Sequence, residues 1–244
     1  MNSHGSKRRG ALLDAGGLIF AMTFPTAAAW LYFVRYADAP SMVAVYAACK
    51  VLQFSIPLAW VSLAQVQGER PAVPSPRGIR AGALTGLALA GAMWAVYMTL
   101  VHGSDLEREA SPRIAARIAA MGAASPARFL ALSLFVSVAH SFLEEYYWRW
   151  FVFGRLRIYR GAAVAGVVSS IAFAGHHAIV LRAFIGPGRF WWLTVLLTLA
   201  VALGGGLWAW LYARSRSLLS PWLSHALVDI GIMAIGYHLA GRAP

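Results

Sequence analysis

"FLEEYYWRWFVF", residues 142–153, sets two carboxylates and an arginine into a stretch that is otherwise soluble in lipid. A carboxylate in such surroundings is costly unless it is paired, so the stretch has to be read with its neighbours. The whole chain of 244 residues is 59% hydrophobic and 12% charged, with a mean hydropathy of +0.62. That is about half the charge of an ordinary soluble domain. The composition is that of an integral membrane protein, and the acidic stretch falls inside one of its spans.

Working outward, apolar runs long enough to cross roughly 30 Å of hydrocarbon at 1.5 Å per residue fall at about 12–34, 42–66, 79–102, 128–153, 162–184, 190–213 and 221–240. None alternates like a barrel strand, so all are expected to be helices. The fold class is all-α, a polytopic bundle of about seven transmembrane helices in a single membrane domain, 1–244. Proline and glycine in "GERPAVPSPRG" (68–78), "IGPGR" (185–189) and "RSRSLLSP" (214–221) mark connections. In the long connection 103–127, Ser111 is a candidate cap and Pro112 suits a first helical turn. Ile114, Ile118 and Met121 share a face opposite Arg113 and Arg117. This segment is expected to lie on the membrane surface, with a short eighth membrane element as the alternative.

The net charge of +12 does not describe a nucleic-acid groove, because the basic residues sit in short clusters between apolar runs. Twelve fall in the connections on the side of the N-terminus and eight on the other, with Lys50 left inside a span. The bias favours a cytoplasmic N-terminus. The basic start "MNSHGSKRRG" precedes an apolar run too long for a signal peptide, so it is expected to lead a retained span. Cys49 has no second thiol with which to form a disulfide or a metal knuckle.

Ionisable residues at membrane depth are functional candidates. Here they gather in three spans: His140, Glu144, Glu145 and Arg149; His176 and His177; His225 and Asp229. Residues four apart share a helix face, so Glu145 can pair with Arg149 while Glu144 points about 100° away. Glu145 is then expected to be structural. Glu144 is expected to face the bundle interior without a partner, as a candidate general base. His140 lies one turn above it and reads as a packed polar residue. Asp229 can hold His225 in one tautomer across the same i, i+4 spacing, and Phe173 stacks one turn above His177. Adjacent helix residues diverge, so His176 reads as a support residue or as facing the headgroups. For Tyr146, Tyr147, Trp148 and Trp150, an interfacial aromatic belt is the simpler expectation than substrate binding.

The three elements, in this order and spacing, resemble those of a known family. "EEYYWR" (144–149), "FAGHH" (173–177) and "HALVD" (225–229) are similar to the EExxxR, FxxxH and HxxxN/D motifs of the CPBP family of intramembrane proteases. That family includes the type II CAAX prenyl endopeptidases and bacterial Abi-type proteins. The resemblance covers about 128–240. It implies a glutamate-dependent peptide hydrolysis inside the bilayer, without a metal or other cofactor. By matching positions, Glu144 and His177 would activate water, and His225 with Asp229 would stabilise the oxyanion. The prenyl endopeptidases typically have Asn where this chain has Asp229. An ionised Asp only accepts hydrogen bonds, so Asp229 either is protonated in its apolar setting or, as the i, i+4 spacing favours, acts by orienting or charging His225.

Measured from the expected span ends, Glu144 lies about 14 Å deep, His177 about 22 Å and His225 about 6 Å, an uneven set for one site. A zinc-dependent membrane protease is the runner-up, lacking HExxH or any local two-ligand motif. A proton-coupled transporter would show internal repeats, and none is evident. A non-catalytic immunity-type protein would not need every motif position to be reactive. The expected partners are the bilayer and a membrane-anchored protein or peptide, with no nucleic acid. The alanine- and arginine-rich composition suggests a bacterial inner membrane.

Overall fold

The helical run Pro126–Ile185 has 60 residues, about three times what a single passage through roughly 30 Å of hydrocarbon requires. The computed structural model, which describes residues 3–64, 71–186, 188 and 191–241, breaks this run at Gly161. There φ is 72° and ψ 168°, a conformation that glycine reaches because it has no Cβ. The two arms, α5 (126–160) and α6 (162–185), fold back on each other. Phe153 packs in one cluster with Ala165, and the rings of Trp148 and Phe173 lie 5.7 Å apart. At the deepest of these pairings, Glu144 meets His176 at 3.4 Å.

Around this hairpin stand α1 (Ser3–Trp30, continued by Leu31–Arg35), α2 (Met42–Ala64), α3 (Pro76–Val96, continued by Tyr97–Val101), α4 (Asp105–Ala120), α7 (Trp191–Ser215) and α8 (Leu219–Ala240). Among the described residues there is no strand. Among the described residues six helical runs, the bent run Pro126–Ile185 counted as one, are long and apolar enough to cross a membrane. The fourth and fifth runs read from the sequence are the two arms of this hairpin, and the arginine-rich stretch 154–160 that precedes the bend looks like a loop in the sequence. That stretch is helical. Arg155 turns inward and pairs with Asp14 of α1, and Asp14 also accepts from Tyr159 and, at 3.0 Å, from the Trp60 indole.

The packing is set by small residues. A Cβ at Gly82 would meet the Ser220 carbonyl oxygen at 2.1 Å, and one at Gly86 would meet Ser224 Cα at 2.8 Å. Ser220 Oγ donates to the Gly78 carbonyl at 2.8 Å, and further along Gly231 packs against Ala90. Glycines at four-residue spacing on α3 thus let α8 lie parallel and in close contact, as small residues do between membrane helices. On the other flank α7 runs antiparallel to α6, with Gly205 against Ser170 and Phe173.

α4 begins earlier than the sequence suggests. Ser104, not Ser111, caps it, accepting from the Glu107 N–H at 3.4 Å, and Pro112 sits inside the helix. The 16-residue α4 is not among the six membrane-length runs. Its Ile118 packs with Ala123 and Phe129. Near its start, burial opposes the charge of Glu107. The Gly103 N–H, the Tyr97 hydroxyl and His102 outweigh that effect and hold the carboxyl at about 2.

The aromatic belt reading fails for two of its four residues. Tyr147 and Trp148 are 0% and 1% exposed and pack with Phe151, Phe173 and Trp208 in the main core. The Tyr147 hydroxyl donates to the Ala21 carbonyl at 2.6 Å. Only Tyr146 and Trp150, stacked at 5.2 Å, remain partly exposed. The helix here is a wide π-turn over Tyr146–Phe153, with another over Phe135–His140, so the α-helical segment Ser141–Glu145 is flanked by wide turns on both sides. Such turns shift the directions in which side chains point and are frequent at functional sites.

Candidate active site

Distance from the bend at Gly161 explains which side chains meet. Glu144 precedes it by 17 residues, and His176 and His177 follow it by 15 and 16. At 1.5 Å per residue all three lie about 22–26 Å from the bend. They are level, and the difference in depth between Glu144 and His177 suggested by the sequence came from ending the fourth span at 153 when its helix runs on to 160. His225 reaches the same level on α8, held by the close seam with α3.

Glu144 and Glu145 are 2% and 0% exposed. Glu144 is not without partners, as the sequence suggests. Its Oε1 lies 3.3 Å from His140 Nε2, 3.4 Å from His176 Nε2 and 3.9 Å from Lys50 Nζ. Its Oε2 lies 3.9 Å from His225 Nε2. Glu145 does pair with Arg149, Oε1 to Nη1 at 3.1 Å. The guanidinium also donates to the Gly205 carbonyl at 3.2 Å and lies over the Phe173 and Trp208 rings at 4.7 and 5.1 Å.

The same Glu145 oxygen reaches across to α8, 2.8 Å from His225 Nδ1. Asp229 is further from that imidazole, with Oδ2 3.7 Å from Nε2. Holding His225 thus falls first to Glu145, a contact between helices that i, i+4 spacing does not reveal. Trp208 stacks flat on the same ring at 3.9 Å, and its indole donates to Ser224 Oγ at 3.1 Å. His225 is therefore fixed by a carboxylate at one nitrogen and an aromatic face, leaving Nε2 turned between Glu144 and Asp229.

The two adjacent histidines of α6 divide as well. His176 is 3% exposed and stacks parallel to Trp148, so the headgroup-facing reading does not hold. His177 pairs its Nδ1 with the Phe173 carbonyl at 3.0 Å. A carbonyl can only accept, so Nδ1 carries the proton and Nε2 keeps a lone pair. Phe173 lies 4.4 Å from the His177 ring. Donor atoms of Glu144, His176 and His177 lie within 4.8 Å of one another, a three-ligand set that a search for local zinc motifs misses.

All nine residues singled out in the sequence converge here: His140, Glu144, Glu145, Arg149, Phe173, His176, His177, His225 and Asp229. The sequence reading passed over Lys50. Its ammonium is also 3.3 Å from Gln53 Oε1 and lies over the Phe54 ring at 5.6 Å. The signal was present, since Lys50 is a charge inside an apolar run, the same criterion that singled out Glu144. Beside the site, an apolar groove of about 520 Å³ runs between α5 and α8, lined by Phe129, Leu134, Val138, Ile230 and Met233 among others.

Fold and site together define a polytopic helical membrane protein with a buried glutamate–histidine centre between a helical hairpin and a neighbouring helix. Residues 126–231 match the family described as type II CAAX prenyl endopeptidase Rce1-like, which bears out the family resemblance carried by the three motifs. No curated protein and no solved structure matches the chain.

Proposed function

We propose that the chain is an intramembrane endopeptidase of the CAAX-protease type, hydrolysing a peptide bond near the C-terminus of a membrane-anchored protein or peptide in a bacterial inner membrane. The observation that carries this reading is the meeting of Glu144, His177 and His225 from three helices at one level, within a segment that matches that family. Glu144 takes a proton from a water oriented by the His177 Nε2 lone pair and returns it to the leaving amine as the peptide C–N bond breaks. His140, His176 and Lys50 hold the Glu144 carboxylate in place. His225, with both ring nitrogens protonated, donates Nδ1–H to Glu145 and Nε2–H to the oxyanion that forms on the attacked carbonyl. Arg149 compensates Glu145, and Asp229 keeps the far side of the His225 ring oriented. The apolar groove between α5 and α8 accommodates the lipid-embedded part of the substrate.

The test is made in the native cell. Deletion of the chain should leave one or more membrane proteins with an uncleaved C-terminal segment, read by mass spectrometry of C-terminal peptides. No retained segment under conditions in which the chain is expressed would contradict the proposal.

A second reading rests on the three donors Glu144, His176 and His177. With zinc between them the hydrolysis would be metal-assisted. Protein stripped with a chelator separates the two: retained cleavage supports the glutamate–histidine route, and loss restored by Zn2+ supports the metal.

A further inference from the structure

A second polar cluster lies 13 residues beyond His225 along α8, about 20 Å away at 1.5 Å per residue. It has no part in the chemistry above. His102 comes from the turn after α3, Glu107 from the first turn of α4 and His238 from the last turn of α8. Donor atoms of the three lie within 4.8 Å of one another. His102 Nδ1 is 3.3 Å from Glu107 Oε1, and the His102 and His238 rings are 5.4 Å apart.

We infer that His102, Glu107 and His238 form a binding site for a divalent transition metal, with Zn2+ the best chemical match. Two imidazoles and one carboxylate are a standard nitrogen–oxygen set for this ion. Ligand atoms held about 2.0–2.2 Å from a tetrahedral ion are separated by about 3.4 Å, close to the His102–Glu107 distance. The surroundings also resemble an outer coordination shell. The Gly103 N–H donates to Glu107 Oε2 at 2.6 Å, fixing the carboxylate. The Tyr97 hydroxyl donates to Glu107 Oε1 at 2.9 Å and lies 2.5 Å from His238 Nδ1, so one side chain orients two ligands.

His102 is partly exposed while Glu107 is buried, which gives the ion a route in and leaves a coordination position open. The three ligands come from three elements, so a bound ion would fasten α4 to the ends of α3 and α8. Those two helices share the glycine seam that holds His225 at its level.

The full-length chain in detergent, dialysed against EDTA, is titrated with Zn2+ by calorimetry and with Co2+ by visible absorption. One equivalent should bind with a tetrahedral Co2+ spectrum, be lost in His102→Ala and persist in Glu144→Gln. Tyr97→Phe, which keeps all three ligands, should weaken binding by about 10–100-fold. Circular dichroism checks that each variant is folded, and His102, standing in a turn, can be truncated without touching a helix. No binding at micromolar metal, or binding unchanged in His102→Ala, would overturn the site. Loss in Glu144→Gln with retention in His102→Ala would assign the metal to the other cluster instead.

Discussion

The carboxylates and imidazoles around Glu144 all come from α5, α6 and α8, whereas the first three helices contribute one cation, Lys50, together with backbone atoms, glycines and an aspartate. Ala21 offers its carbonyl to Tyr147, Asp14 receives Arg155 and Tyr159, and Gly82 and Gly86 admit Ser220 and Ser224. One half of the molecule thus holds reactive groups, and the other fixes their level and direction. A motif search sees only the first kind of contribution. The second depends on atoms that almost any residue could supply, at positions where only a small residue or a particular charge fits.

Substitutions can test this division. The largest stability effect is expected at Arg149, whose removal leaves the buried Glu145 without its cation. Arg149→Met should cost about 3–5 kcal/mol, read as thermal unfolding in detergent, and abolish cleavage as a consequence. Unchanged stability would place Arg149 in the chemistry instead. Gly82→Val should cost about 1–3 kcal/mol by overpacking the seam, and should lower activity even in the folded fraction because α8 carries His225. Lys50→Met should leave the fold intact and slow cleavage by about tenfold, equivalent to about 1.4 kcal/mol of barrier. If it has no effect, the first three helices act only as a frame. The smallest effect is expected for Asp229→Asn, with activity within about tenfold of the original. A folded but inactive Asp229→Asn chain would show that the charge at 229 is essential, and that Glu145 is not sufficient to orient His225.

The parts of the site legible in the sequence were those written along one helix. Glu145 with Arg149, Phe173 with His177 and His225 with Asp229 follow from four-residue spacing, and all three pairs are found close together. What spacing could not give were contacts between helices. The Glu145–His225 bond spans 80 residues, and Lys50 reaches Glu144 from a helix without a motif. Charge also misled where a distant partner existed, since Arg155 reads as a loop residue only until Asp14 is seen beside it. The wide turns at Phe135–His140 and Tyr146–Phe153 leave no mark in composition. They turn Tyr147 and Trp148 inward, where the sequence suggested a membrane-interface belt.

The central claim is that Glu144 is the base and Glu145 its structural neighbour. The most direct measurement returns Glu144→Gln to the deletion cell at native abundance. Uncleaved C-terminal segments are then counted by mass spectrometry beside the thermal unfolding of the purified variant. The account predicts unfolding close to that of the original chain and cleavage reduced by about 100-fold or more. Cleavage at the original rate in a folded Glu144→Gln chain would contradict it.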